Sequence, residues 1–138
     1  MRVGVSVRTG FDVIRCEGYC PVHTDILPEH IQQAKRLHPQ AKVIVHPECK
    51  PEITALADVV TSTEGMSRHA QNSPDKEFII GTETGILHRL KKENPDKFFY
   101  PASDKAICAD MKKITLEKVL HSLETLSYEI TVAPDIMD

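Results

Sequence analysis

An imidazole, a carboxylate and a thiol follow one short apolar run of the sequence. The run covers residues 43–45, and His46, Pro47, Glu48 and Cys49 come directly after it. In open parallel α/β sheets ligands bind beyond the carboxyl ends of the strands, and Pro47 disfavours both further strand pairing and an immediate helix. His46 and Glu48 are therefore candidates for substrate binding and proton transfer. The alternative is a turn whose polar residues cap the next helix.

Thiols form a second group of candidates. The four cysteines accompany no export signal, and a reducing cytosol keeps thiols available for metal binding or catalysis. Cys20, on a loop predicted over residues 16–23, and Cys108 should both emerge at the carboxyl edge of the sheet, where thiolates could hold an iron–sulfur cluster. A cluster needs at least three thiolates. Cys16 and Cys49 are candidates by count, although a thiol without a ligand role is the commoner case.

Hydroxyl side chains mark a possible anion site. Ser62 and Thr63 lie in or just before the first turn of a predicted helix, beside backbone N–H groups that lack intrahelical partners. Such a position suits a phosphate or a carboxylate. The alternative is a plain helix cap, which is the more frequent role of Ser and Thr.

Strands alternate with helices along the chain. The predicted strands cover residues 13–15, 43–45, 57–60, 78–80, 98–100 and 128–132. The predicted helices begin near Pro28, Pro51, Thr61, Ile86 and Thr115. This alternation predicts a parallel sheet with right-handed crossovers, so the fold class is α/β with three αβα layers.

Composition excludes several classes of protein. The sequence has 138 residues, of which 41% are hydrophobic and 27% charged, as expected of one soluble globular domain. A formal net charge of -3 gives no basic surface for nucleic acid. The sequence shows neither a membrane-spanning apolar run nor a signal peptide, so we expect a cytoplasmic protein that binds neither membranes nor nucleic acids.

Six motifs, in order, resemble quinolinate synthase, the iron–sulfur enzyme that condenses iminoaspartate with dihydroxyacetone phosphate to make quinolinate for NAD biosynthesis. The motifs are residues 18–23 (GYCPVH), 46–49 (HPEC), 61–63 (TST), 81–85 (GTETG), 87–95 (LHRLKKENP) and 108–113 (CADMKK). The resemblance runs over nearly the whole chain. It implies that the chain is similar to the C-terminal half of a longer enzyme with three related αβα domains around a central site.

The resemblance also implies roles for individual residues. Cys20 and Cys108 would be two of the three protein ligands of a [4Fe–4S] cluster whose fourth iron is open to substrate as a Lewis acid. His46 and Glu48 would be active-site groups, with Glu48 moving protons.

By the same resemblance, Ser62 and Thr63 would hold a substrate anion. Cys49 belongs to its motif without being a cluster ligand. No role follows for Cys16, His23 or Thr82.

The resemblance leads to three expected segments. Residues 1–24 would end one αβα domain and carry a cluster-ligand loop, residues 25–114 would form a domain with the active-site loops and the second cluster-ligand loop, and residues 115–138 would be a C-terminal helix and strand. The implied partners are the two small-molecule substrates, with L-aspartate oxidase as a candidate supplier of iminoaspartate and a homodimer as a candidate assembly. The alternative is a non-catalytic, truncated αβα module without an assembled site.

Overall fold

A computed structural model of the chain describes residues 18–137. The chain divides into two compact units, one ending at Ile107 and the other beginning at Cys108. Among the helices in the described part, none is both long and apolar enough to cross a membrane. The strand predicted over residues 13–15 lies outside the described residues, as does Cys16.

The first unit contains a four-stranded sheet in which every pairing is parallel. Its strands are β1 (Lys42–Val45), β2 (Val59–Val60), β3 (Glu77–Gly81) and β4 (Phe98–Pro101). Their order in the sheet is β2-β1-β3-β4, with Val45 opposite Gly81 where β1 and β3 end. The predicted α/β class, with helices flanking a parallel sheet, is confirmed.

Six of the seven helices in the described part begin where the sequence supplies proline or a capping hydroxyl. The helices are α1 (Pro21–Thr24), α2 (Pro28–Leu37), α3 (Pro51–Thr54), α4 (Thr63–Asn72) and α5 (Ile86–Glu93) in the first unit, then α6 (Leu116–Thr125) and α7 (Pro134–Met137) in the second. Proline suits the first helical position because the missing N–H would have no intrahelical partner. The cap of α4 is Ser62, whose side chain accepts from the Gly65 N–H.

The main hydrophobic core packs α4 and α5 against one face of the sheet. Its fully or almost fully buried members are Ile44, Met66, Ala70, Phe78, Ile80, Leu90 and Phe99. Side chains alternate between the faces of a strand, so Val43, Val45 and Ile79 lie on the opposite face, where they are equally buried. A sheet buried on both faces explains why these strands read as continuous apolar runs.

The strand order creates a crevice between β1 and β3. The chain passes from β1 to β2 on one side and then returns to form β3 on the other side, so the order reverses between these neighbours. Loops that leave adjacent strands in opposite directions open a cleft at their carboxyl ends, which is the usual ligand position in open α/β sheets. Residues following Val45 and Gly81 therefore flank this cleft.

Two local predictions are wrong. The loop predicted over residues 16–23 contains most of the one-turn helix α1. Pro21 is the first residue of this helix, and the Asp25 N–H donates to the Pro21 carbonyl. No strand forms over residues 128–132, where Tyr128 takes a left-handed conformation with φ 64° that a strand cannot contain. The segment limits at residues 24 and 114 stay predictions.

The second unit consists of short elements joined by irregular backbone. A single 3₁₀ turn, Met111–Lys113, precedes α6, whose N-cap Thr115 accepts from the Lys118 N–H. The predicted amphipathic helix is therefore present. No residue of this unit is buried among those that the structure describes.

Candidate active site

The loop after β1 is fixed to the end of β3 by backbone hydrogen bonds. The His46 N–H donates to the Gly81 carbonyl at 3.0 Å, and the Cys49 N–H turns back to the His46 carbonyl at 3.0 Å. A Cβ on Gly81 would lie 2.7 Å from Cγ1 of Val45, so only glycine allows the two strands to end so close together. The candidate residues His46 and Glu48 are thus held at the carboxyl edge of the sheet, as the sequence predicts.

His23 lies between Glu48 and Thr82. Its Nδ1 is 2.9 Å from Oε2 of Glu48, and its Nε2 is 2.8 Å from Oγ1 of Thr82. His23 and Thr82 are buried, whereas the side chain of Glu48 keeps 47% of its surface exposed. The imidazole therefore holds one side of the Glu48 carboxylate, and the other side of the carboxylate is open to solvent.

The hydrogen positions follow from the partners of Thr82. Among residues 18–137 the only hydrogen-bond partner of this hydroxyl is Nε2 of His23, so its O–H donates to that nitrogen. Nδ1 of His23 then carries the imidazole proton and donates to Glu48. A buried hydroxyl left without an acceptor would cost free energy, which favours this arrangement.

The ring of His46 stacks on that of His23. The ring centroids are 4.3 Å apart and the planes differ by 7°. Burial lowers the pKa of His46, the electrostatic interaction with the neighbouring His23 lowers it further, and the Glu48 carboxylate opposes this effect only in part. His46 is therefore neutral at pH 7. Its Nδ1 accepts from the Glu48 N–H at 3.2 Å, which leaves the proton on Nε2 as a donor.

Cys49 is turned away from the site. Its thiol is buried and donates to the Gly81 carbonyl at 3.5 Å. Burial raises the pKa of Cys49 to about 11, and the nearby Cys20 and Glu48 add to this effect. A protonated, inward-facing thiol agrees with the expectation that Cys49 is not a ligand, because metals bind the thiolate.

Cys20 is the N-cap residue of α1, and its thiol is half-buried. The ligand atoms of Cys20, His23 and Glu48 all lie within 4.8 Å of one another. Three donor types that bind transition metals thus meet at the mouth of the cleft. The structure brings Cys20 to the same place as Glu48, although the sequence motifs that contain them are separated by the whole of α2 and β1.

The two hydroxyl candidates occupy the start of α4. Ser62 and Thr63 are both exposed, and Ser62 already accepts from the Gly65 N–H as the helix cap. The capping alternative is therefore correct for Ser62. Because a hydroxyl that accepts one hydrogen bond still has a proton to donate, capping leaves Ser62 able to bind an anion.

Cys108 begins the second unit. Its half-buried Sγ accepts from the Met111 N–H at 3.5 Å, as the chain turns toward the 3₁₀ helix. This hydrogen bond spans three residues and is local to the turn. The role of Cys108 as a cluster ligand stays a prediction.

Sequence reasoning left His23 and Thr82 without roles, and the structure places both beside Glu48. The spacing Cys20-x-x-His23 contained a signal, because residues three apart on a helical turn share a face. Because the segment was predicted to be a loop, this spacing did not indicate that Cys20 and His23 share a face. Nothing local to Thr82 indicated a histidine 59 residues away.

The chain matches the family model described as quinolinate synthetase A protein over residues 4–138. It is 54% identical over 125 residues to the quinolinate synthase of Thermodesulfovibrio yellowstonii, an alignment that covers 91% of this chain and 41% of the relative. For the quinolinate synthase of Dehalococcoides mccartyi strain CBDB1 the identity is 51%, with 96% of this chain and 44% of the relative covered.

A third relative, the quinolinate synthase of Methanosarcina barkeri, is 52% identical, with 93% of this chain and 42% of the relative covered. The chain thus spans less than half the length of these curated relatives. The family match nevertheless extends over nearly all of its residues and includes every candidate site residue that the sequence provided. The chain belongs to the quinolinate synthetase A family.

Proposed function

We propose that this chain forms part of an enzyme that condenses iminoaspartate with dihydroxyacetone phosphate to give quinolinate. The observation that carries the proposal is the position of His46 and Glu48 at the reversal point of the strand order, with His23 and Thr82 behind them. The family to which the chain belongs supports the choice of reaction. Both substrates are small molecules, and a cleft at the carboxyl edge of a sheet suits them.

Cys20 and Cys108 would hold a [4Fe–4S] cluster, together with a third thiolate from outside the described residues. Both thiols are half-buried, and the Met111 N–H already directs a hydrogen bond to Cys108. These features fit the thiolate donors that such clusters require. When bound, the cluster supplies an open iron that polarises a substrate oxygen or nitrogen as a Lewis acid.

Glu48 would move protons in the dehydration steps of the reaction. Its carboxylate removes a proton from a substrate carbon, and the protonated acid then delivers a proton to the departing hydroxyl group, which leaves as water. His23 holds one oxygen of this carboxylate through Nδ1–H, so the exposed side of the group faces substrate in a fixed orientation.

His46 would act as a hydrogen-bond donor. Because the Glu48 N–H occupies its Nδ1, the neutral ring presents Nε2–H to substrate and can stabilise a developing oxyanion. The hydroxyls of Ser62 and Thr63 would bind a substrate phosphate or carboxylate at the N-terminus of α4, where the helix dipole favours an anion.

The chain by itself would make no quinolinate. Its relatives are more than twice as long, and the exposed carboxylate of Glu48 shows how open to water the cleft is within this chain. Acid–base and electrostatic catalysis depend on excluding water around the reacting groups. The same exposure favours the second candidate, a non-catalytic αβα module, for the chain in isolation.

The test combines spectroscopy with a product assay. The chain is reconstituted anaerobically with iron and sulfide, alone and with a separately expressed piece that supplies the remainder of a complete relative, and quinolinate is measured. We expect visible iron–sulfur absorbance and product only in the combination. If the chain alone makes quinolinate, the cleft needs no further protein to exclude water, which would contradict the proposal. If the combination makes none, the non-catalytic αβα module is favoured.

Four variants of the combined enzyme test the ligand assignment. Cys20→Ser and Cys108→Ser should each lose bound iron and sulfide, whereas Cys49→Ser and Cys16→Ser should retain them. A cluster lost only in the Cys49 variant would overturn the assignment.

A further inference from the structure

We propose that a small cavity between the α1–α2 turn and the loop after β4 binds a small α-amino acid in its zwitterionic form. The cavity has a volume of about 140 Å³ and is lined by Asp25, Ile26, His30, Ser103, Lys105 and Ala106. None of these residues belongs to the candidate active site, so the inference does not depend on the proposed reaction.

Asp25 and Lys105 bring opposite charges to this cavity without neutralising each other. Both residues are exposed, and among residues 18–137 neither side chain has an ion-pair partner. An ammonium group and a carboxylate on one ligand can lie between them, each beside the opposite charge. A ligand with a single charge would leave either Asp25 or Lys105 without a partner, so the cavity favours a ligand that carries both charges.

Two neutral side chains add hydrogen-bond donors for the ligand carboxylate. The Leu27 N–H donates to Nδ1 of His30 at 3.1 Å, so in the neutral ring Nε2 carries the proton. Oγ of Ser103 accepts from the Lys105 N–H at 3.3 Å, which leaves the Ser103 proton to donate. With the Lys105 ammonium, the cavity offers three donors to a carboxylate, and Asp25 is the acceptor for an ammonium group.

The size of the cavity limits the ligand. At about 30 Å³ per water molecule, its volume corresponds to about four or five waters, which is room for glycine or alanine but not for an aromatic amino acid. Ile26 and Ala106 are buried, so they form the inner wall of the cavity and make it apolar. A hydrogen atom or a methyl group as the ligand's side chain suits that wall.

Backbone hydrogen bonds hold the two segments that carry these groups. The Asp25 N–H donates to the Pro21 carbonyl at 2.9 Å, and the Ala106 N–H donates to the Ser103 carbonyl at 3.2 Å. The Ala106 carbonyl in turn accepts from the Thr84 N–H at 2.9 Å, which joins the loop after β4 to the loop after β3. The backbone therefore needs little further ordering on binding, which favours affinity.

The first experiment follows binding to the purified chain by ¹H–¹⁵N NMR and calorimetry, with glycine, L-alanine, propionate, ethylamine and L-phenylalanine as ligands. We expect glycine and alanine to bind saturably, one molecule per chain, with the largest shifts at the amides of Asp25, His30 and Ser103. Propionate and ethylamine each keep one charge of alanine, and each should bind about tenfold more weakly or worse, because one charge-assisted hydrogen bond is lost. L-Phenylalanine should not bind.

Two variants test which side chain meets which charge. Asp25→Asn removes the carboxylate without a change of shape and should lower alanine affinity about tenfold or more, while propionate affinity stays unchanged. Lys105→Met should weaken alanine and propionate alike and leave ethylamine unchanged. The matched controls are Asp104→Asn, an exposed carboxylate on the same loop, and Lys91→Met, an exposed lysine of α5. Both should bind alanine as the parent does.

The ligand comparison and the controls also define failure. The proposal is wrong if neither glycine nor alanine binds, if the parent binds propionate as tightly as alanine, or if Asp104→Asn weakens binding as much as Asp25→Asn. Circular dichroism of each variant separates loss of the fold from loss of the site. Where a charge variant unfolds, Ser103→Ala replaces it and should weaken alanine and propionate alike.

Discussion

Helices α4 and α6 have the same length and similar starts but opposite surroundings. Each has ten residues, begins after a capping hydroxyl, and carries apolar residues at helical spacing. Met66 and Ala70 of α4 are completely buried against the sheet, whereas Leu116 and Leu123 of α6 are 85% and 69% exposed. An amphipathic pattern therefore predicts a helix and its apolar face, but not whether anything in the same chain covers that face.

The same contrast extends to the two compact units. In the first, a sheet buried on both faces supports a cleft with buried polar groups, and burial lowers the pKa of His46 and raises that of Cys49. In the second, the described residues are all exposed or half-buried, and Sγ of Cys108 accepts from the Met111 N–H in a local turn.

The largest difference should appear in stability. Phe78→Ala removes a fully buried ring that stacks on Phe99, and we expect it to lower the free energy of unfolding by about 3–5 kcal/mol. Leu120→Ala in α6 should change it by no more than about 0.5 kcal/mol, because that side chain is exposed. Urea unfolding followed by circular dichroism measures both. Equal losses would mean that α6 packs against something in solution.

A carboxylate in each unit tests where the chemistry lies. In the complete enzyme, Glu48→Gln should lower kcat on the order of 10²-fold or more while substrate binding changes less, as expected when a general acid–base is removed without a change of shape. Glu124→Gln in α6 alters an exposed carboxylate and should leave kcat unchanged. If Glu48→Gln has the same kcat as the parent enzyme, the Glu48 carboxylate has only a structural role in the loop after β1.

The thiols of the two units should differ in reactivity. Because burial raises the pKa of Cys49 from 9.0 to about 11, its thiolate fraction near pH 8 is about a hundredfold below that of the unfolded chain. Iodoacetamide should therefore label Cys49 at least a hundredfold more slowly in native protein than in urea, whereas half-buried Cys108 should show a much smaller ratio. Peptide mass spectrometry gives both rates. Rapid native labelling of Cys49 would show that β1 and its loop open readily.

The smallest effect separates binding from capping at the start of α4. Ser62→Ala combined with Thr63→Ala should weaken binding of the substrate anion by about 1–3 kcal/mol in the complete enzyme, because charge-assisted hydrogen bonds are lost. Thr63→Ala alone should lower affinity without lowering Tm, since Ser62 provides the cap.

The matched control is Thr115→Ala, which removes the cap of α6. It should affect only that helix and leave substrate affinity unchanged. If the Ser62 and Thr63 variants lower Tm but keep parental affinity, these hydroxyls serve the helix alone.

The sequence by itself determined the α/β class, the four described strands and the polar residues at their ends. These features depend on interactions between near neighbours: apolar runs long enough for a buried strand, prolines and hydroxyls that start helices, and the alternation of strands with helices that is typical of parallel crossovers. The position of His46 and Glu48 at the sheet edge follows from the same local rules. The extra strand at residues 128–132 failed because β-branched and aromatic residues favour a strand only where a neighbour pairs with it.

Only the tertiary structure decided what surrounds Glu48. The contacts of His23 with Glu48 and Thr82 join residues that are 25 and 59 positions apart, and they exist because α1 and the strand order β2-β1-β3-β4 bring three separate segments to one crevice. Burial there lowers the pKa of the His46 imidazole and raises that of the Cys49 thiol. Neither burial nor long-range proximity is a property of a local sequence window, because both depend on where the rest of the chain packs.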